Sequence, residues 1–373
     1  MKEPLRVLHV VSIMNRGGME SRLMDILRKL DRNKVQFDFL YHRMRTGDFD
    51  NEICELGGRI YHIAPMSFKN ISGYRKSLDQ FFYGHPEYMI VHSQLDAMST
   101  PVLKSAFRYN IPVRIAHSRS AGAKPDWKLP IRVMNKLFIK KYATHYLACS
   151  KKAAIWLFGK AAVSQNKVLI VKNAIDARRF SYNEEVRTIL RESLGLQGKY
   201  VVGHVGSFLY PKNHSFLIEI FDELLKKKPD AMLLLVGGGK LLEHIREQCR
   251  QRNLSDRVIL AGKVSNVNEY LQAFDVFVFP SHFEGMPGAV IEAQASGLHC
   301  IISDVIDEEV RATGFVKMLS LKQTAESWAN AILDCTGDMK RKDTYEEIKA
   351  QGYDVQTVIE YLEEFYLSCA GEL

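Results

Sequence analysis

No stretch of this 373-residue chain stays apolar for the ~20 residues that a membrane-spanning helix needs, so an α-helical span is excluded. Cysteine is sparse. The six, at 54, 149, 249, 300, 335 and 369, have neither the paired spacing of a zinc site nor the density of a disulfide scaffold. A reducing compartment is therefore expected, and the cytoplasm with it. The apolar run near the N-terminus, "LRVLHVVS", is too short for a signal-peptide core and no small-residue cleavage pattern follows it. Zinc-finger spacing, an aromatic-basic RNA-binding signature and a basic arm are all missing, so the net charge of +8 is not read as a nucleic-acid footprint. Phosphate-rich small molecules and anionic surfaces remain as partners for that charge. Low-complexity segments and internal repeats are absent, and 46% hydrophobic with 25% charged residues is the composition of a chain that folds by burial.

What is present is a rhythm. Short continuous apolar runs of the kind buried parallel strands show, "LRVLHVVS", "VQFDFLYH", "MIVHSQ", "VRIAHS", "HYLACS" and "KVLIVKNAID", alternate with helical spacing such as Met19, Leu23, Ile26, Leu27 and Leu30. A charged stretch over 176–199 interrupts them. The rhythm then restarts with "YVVGHVGS", "AMLLLVGGG", "RVILAGKV", "FDVFVFPS" and "CIISDV". The fold class expected is α/β, two Rossmann-like domains with parallel sheets facing a central cleft, over 1–178 and 179–354, with a last helix about 355–373 packing back on the first. Open parallel sheets bind ligands beyond the carboxyl ends of their strands. Loops 12–18, 206–213, 237–240, 262–266 and 281–288 are the ones so placed.

Chemistry-bearing residues fall in those loops. In "NRGGME", Gly17 and Gly18 sit between a strand and a helix, where backbone amides can approach a phosphate, although a tight turn explains them as well. Lys212, in "VGSFLYPKNHSFLIEIF", stands just before a helix and can meet anionic oxygens or simply be solvated. "FEGMPGAVIEAQASGL" places Glu284 before a helix start, Pro287 in its first turn and Glu292 inside it, with Gly288 and Ala289 amides unpaired by the helix. Carboxylates accept hydrogen bonds from hydroxyls, while the helix end favours anions, so the pairing suits a ligand with both sugar and phosphate parts; helix capping is the plainer account. His117 ends a strand in "VRIAHSRS", where an imidazole can donate to a hydroxyl or phosphate but is more often structural, and Asn173 lies in "VKNAID", a turn sequence in its own right.

Taken together these motifs resemble the retaining GT-B glycosyltransferases of family 4, over nearly the whole chain, and among them the capsule and exopolysaccharide transferases of bacteria. The most specific is the Glu-x7-Glu of "FEGMPGAVIEAQ". The resemblance implies that Glu284 and the backbone of Gly285, Met286, Pro287 and Gly288 surround the donor sugar, that Glu292 holds the ribose, and that Lys212 with Gly17 and Gly18 takes the diphosphate. It places His117 at the reacting centre and Gly262 to Val264 beside the base. Where the family usually has Arg, this chain has Ser207, with Arg16, His204 and Lys240 as candidate replacements. Asn-Ala replaces Asn-Gly at 173 and 174.

The activity so implied is transfer of a glycosyl group from a nucleotide diphosphate sugar, UDP favoured, to a glycan or polyprenyl-linked hydroxyl with retention, needing no metal and no cofactor. Two other readings remain open at the level of sequence. One is a nucleotide-sugar epimerase or hydrolase on the same scaffold, the other a non-catalytic nucleotide-binding module. The segment "KLPIRVMNKLFIKKY" (128–142) mixes apolar and basic residues in the manner of a helix lying on an anionic membrane surface, and equally of a packed helix with a basic outer face. Peripheral attachment at the inner face of the plasma membrane is the corresponding expectation.

Overall fold

The computed structural model describes residues 3–67, 70–120, 122, 129–335 and 341–371. The chain forms two compact units, one of residues 1–174 with 355–373, the other of residues 175–354.

The first unit is built on a seven-stranded parallel sheet in the order β3-β2-β1-β4-β5-β6-β7. The strands are β1 Leu5–Val11, β2 Val35–Tyr41, β3 Ile60–His62, β4 Ile90–Ser93, β5 Val113–Ser118, β6 His145–Ala148 and β7 Val168–Ile170. Both faces are covered, which is why the strands read as unbroken apolar runs rather than alternating ones. Val7, Phe37, Phe39 and Tyr41 pack on one side against Leu23, Met24 and Leu27 of the helix Gly18–Lys29. Leu8, Val10, Leu40 and Val91 pack on the other side against Leu78 and Phe82 of the helix Ile71–Gly84. All seven residues of β2 are buried, Asp38 among them. Its carboxylate is fully satisfied by Arg6 through two bonds of 2.7 Å, by the Arg59 amide at 2.7 Å and by the Tyr88 hydroxyl at 2.7 Å.

The C-terminal helix Val355–Gly371 belongs to this unit. It buries Val355, Val358, Ile359, Leu362, Tyr366 and Cys369 against β1, β2 and the helix Gly18–Lys29. Glu363 on its outer side accepts the Asp31 amide at 2.8 Å.

The second unit carries six parallel strands in the order β10-β9-β8-β11-β12-β13. They are β8 Tyr200–Val205, β9 Ala231–Val236, β10 Val258–Gly262, β11 Val276–Phe279, β12 His299–Ser303 and β13 Val316–Leu319. Asp275, just before β11, receives Arg187, Arg191 at 3.1 Å and the Val201 amide at 2.7 Å, and so pins the entering helix Glu184–Ser193 to the centre of the sheet. Two strands went unread in the sequence, β3 and β13. Both are short edge strands of three and four residues, with one neighbour each and little apolar run to betray them.

Candidate active site

In the second unit the loops leaving β8, β9 and β10 are knitted backbone to backbone. The Gly206 amide donates to Val236 O at 2.9 Å, Phe208 N to Gly238 O at 3.1 Å, and Gly237 N to Gly262 O at 2.8 Å. Glycine is required for this closeness. A Cβ on Gly237, whose φ is +146°, would stand 2.0 Å from Gly206 O, and one on Gly239 would stand 2.5 Å from Phe208 O.

On that platform Lys212, in the short turn Tyr210–Lys212 before the helix His214–Lys227, reaches Glu284 with Nζ 2.5 Å from Oε1. The Glu284 carboxylate also accepts from Ser281 Oγ at 3.2 Å. The two loops are tied by the His282 amide donating to Pro211 O at 2.8 Å and by the Tyr210 and His282 rings stacked 4.7 Å apart. Lys212 Nζ also lies 4.7 Å from the centroid of Phe279, at the end of β11. The helix that follows runs Gly288–Ala295, with Pro287 as its cap rather than in its first turn. No side chain caps it; the Val290 amide donates to Pro287 O at 3.1 Å, while the amides of Gly288 and Ala289 precede the first intrahelical acceptor. Glu292 lies within it and is 7% exposed.

The sequence-selected residues of this unit are thus brought together in one place only in part. Lys212, Glu284, Gly285 and Gly288 are half-buried around the turn, and Met286 is buried with its sulfur accepting from Tyr353 OH at 3.4 Å. Ser207 and Lys240 are exposed; Gly262, with φ +71°, and Val264 are half-buried at the end of β10. His204 cannot replace the missing arginine. It is fully buried, its Nδ1 is 2.8 Å from Val278 O, and burial beside His214 and Lys212 pushes its pKa well below the usual value, so it carries no charge.

In the first unit, Gly17 caps the helix Gly18–Lys29. Glu20 of the first turn folds back over it, so close that a Cβ on Gly17 would lie 2.4 Å from Glu20 Oε2, whereas one on Gly18 would meet nothing within 4 Å. The Gly17 amide is committed to Asn15 O at 2.7 Å, and burial raises the pKa of the Glu20 carboxyl beside it. His117, at the end of β5, is 1% exposed. It stacks on His92 with ring centroids 5.1 Å apart, its Nδ1 2.9 Å from His92 Nε2. Asn173 accepts from Arg119 at 2.9 Å.

Sequence reading missed the company that His117 keeps: His9, His92, Gln94, Arg119 and Tyr366, which line one small cavity with it. The signal was there. His9 and His92 each interrupt an apolar strand and stand in register on β1 and β4. Also missed was an Asp-x-Asp, Asp48-Phe49-Asp50. Its carboxylates serve the local chain: Asp50 takes Tyr41 OH at 2.7 Å and Gly47 N at 2.8 Å, and Asp48 takes Arg16 N at 3.1 Å. Among the described residues, no group of three or more His, Cys, Asp or Glu side chains is placed to hold a metal ion.

Comparison with known proteins decides the family. A family model described as "Glycosyl transferases group 1" matches residues 199–338, and one described as "Glycosyltransferase Family 4" matches 16–179. EpsF of Bacillus subtilis (strain 168), whose name assigns it to the glycosyltransferases, is 36% identical over 359 residues, covering 94% of this chain and 93% of its own. The chain belongs to the family 4, group 1 glycosyltransferases. CapH of Staphylococcus aureus, a capsular polysaccharide biosynthesis glycosyltransferase, is 26% identical over 376 residues, covering 98% of this chain and 99% of its own. This glycosyltransferase is accordingly of the capsule and exopolysaccharide type. Its fold is GT-B, as in the crystal structure of Anabaena HepE with UDP and glucose, which matches with a TM-score of 0.80 at 17% identity over 98% of this chain and all of that one.

Proposed function

We propose that this glycosyltransferase moves a glycosyl group from a nucleotide diphosphate sugar, UDP-linked in preference, to a hydroxyl of a glycan or polyprenyl-linked acceptor, with retention of configuration. The observation that carries the proposal is the Lys212 and Glu284 pair beside the uncapped start of the helix Gly288–Ala295, with Glu292 inside that helix. A cation and free amides suit a diphosphate; carboxylates, which repel phosphate, suit the hydroxyls of sugar and ribose. The UDP and glucose in the HepE crystal structure support a donor of this class.

Lys212 holds the diphosphate in this reading, the Glu284 carboxylate and the amides of Gly285, Met286 and Gly288 hold the sugar, Glu292 holds the ribose, and Gly262 to Val264 flank the base. Negative charge grows on the leaving diphosphate as the glycosidic bond breaks. A fixed ammonium and preorganised amides bind that charge more strongly in the transition state than in the ground state, which lowers the barrier. The acceptor proton passes to the departing phosphate. His117 acts at the reacting centre. Transfer proceeds without a metal in this account, and turnover that EDTA abolishes and a divalent cation restores would refute that part.

The acceptor side draws support from the helix Leu129–Tyr142, which leaves Val133, Met134, Leu137 and Phe138 exposed next to the exposed Lys140 and Lys141. An apolar strip edged by lysine suits an anionic lipid surface carrying a polyprenyl-linked acceptor. The reaction is tested by acceptor-dependent release of the nucleoside diphosphate, with the product anomer read by NMR. Release that ignores the acceptor would favour a hydrolase, and an inverted anomer would remove retention.

A further inference from the structure

Two hydrogen-bond relays in the first unit end on imidazole nitrogens without a hydrogen-bond partner among the described residues, Nε2 of His9 and Nε2 of His117. Both rings are 1% exposed and line the same cavity as Arg119 and Tyr366. The direction of each relay follows from which atoms can only donate. Arg119 gives its Nε proton to Gln94 Oε1 at 2.7 Å. A guanidinium accepts nothing, so the Gln94 oxygen is committed there and its NH2 faces His9 Nδ1 at 3.2 Å. His9 therefore accepts at Nδ1, and as a neutral ring bears its proton on Nε2.

The second relay starts on the C-terminal helix. Tyr366, fully buried, has its hydroxyl 2.7 Å from His92 Nδ1, and no other acceptor for that hydroxyl proton stands among the described residues. Donation to His92 Nδ1 satisfies the hydroxyl; the reverse direction would bury its proton unpaired. His92 must then carry its own proton on Nε2 and donate it to His117 Nδ1 at 2.9 Å. That leaves the His117 proton on Nε2. Burial keeps the chain of protons in place, holding both rings neutral and Tyr366 protonated.

We propose that Tyr366 and His92 are positioning residues that lock His117 as a neutral imidazole with its proton on Nε2. In consequence His117 meets its ligand as a hydrogen-bond donor to an oxygen lone pair and not as a base. The catalytic consequence rests on the role of His117 given above, while the tautomer itself does not.

Two-bond 1H–15N correlation spectra of the full-length chain, labelled with 15N in histidine, read the tautomers directly at neutral pH, with His92→Asn and His117→Asn assigning the signals. Both rings are expected as Nε2–H. Tyr366→Phe, which keeps the ring and deletes the hydroxyl, is expected to introduce an Nδ1–H population at His92 and His117 and to lower kcat about tenfold, the size of one ordinary hydrogen bond, with donor KM nearly unchanged. An Nδ1–H tautomer for His117 in the wild-type spectrum overturns the relay, whether or not the variant folds, and so do tautomers unmoved in Tyr366→Phe. Full kcat in His117→Gln would instead remove His117 from the reaction and leave the relay standing.

Discussion

Lys212 and Glu284 neutralise one another at 2.5 Å, so each is costly to remove alone. Lys212→Ala is expected to weaken UDP binding by about tenfold to a hundredfold, the loss of one charge-assisted hydrogen bond, as measured by calorimetric titration. Unchanged affinity would detach Lys212 from the donor. Glu284→Gln keeps shape and removes charge, and turnover should fall while the fold persists; full turnover would sink the role of Glu284. A second prediction concerns acid. His214 is 2% exposed, both its nitrogens lack a hydrogen-bond partner among the described residues, and burial lowers its pKa to about 4. A histidine that is neutral when folded but takes a proton near 6.5 when unfolded makes stability rise with pH between those values. Stability present above pH ~6.5 should therefore be lost as pH falls toward about 4. His214→Phe, in a slot where the ring already stacks on Phe208 at 4.1 Å, should flatten chemical-denaturation midpoints over that window. An unchanged pH slope would assign the acid lability to other groups.

At the scale of elements, the C-terminal helix is part of the first core, not an appendage. Truncation after Asp354 exposes the pockets of six buried side chains, each worth about 1.5–3 kcal/mol, against a total stability of only 5–15 kcal/mol for a typical domain. Loss of the cooperative unfolding transition of the first unit is expected by calorimetry, and a retained transition would contradict this packing. The helix Leu129–Tyr142 makes the opposite case, an element whose exposed Val133, Met134, Leu137 and Phe138 are left uncovered by the described residues. Leu137, 76% exposed, can be changed to Glu at little cost to stability. Leu137→Glu should abolish flotation with phosphatidylglycerol vesicles at low salt. Wild-type protein that ignores such vesicles ends the membrane reading. Central strands and their helices were legible in the sequence because burial on both faces leaves a continuous apolar run. The edges β3 and β13 were not, since His62 and Lys317 leave them no continuous apolar run, whereas the edges β7 and β10 have one.

For the whole molecule, legibility followed sequence distance. The Glu-x7-Glu turn and Lys212 could be read because each is set by local strand, turn and helix chemistry. The meeting of His9, His92, His117 and Tyr366 could not, because it depends on sheet register and on where a helix 274 residues beyond His92 comes to rest. The burial of His117 could not be read for the same reason: strand-end position does not reveal what later packs over it. The most direct test of the account is a thermal-shift series of UDP, GDP, ADP and their common sugars on the wild-type chain, with Lys212→Ala and Glu292→Ala alongside. Binding to the native state alone raises stability by about 2.7 kcal/mol at a hundred times Kd. The account predicts a shift by the UDP series that is lost in both variants. A shift that survives in both would place the nucleotide elsewhere and contradict the site.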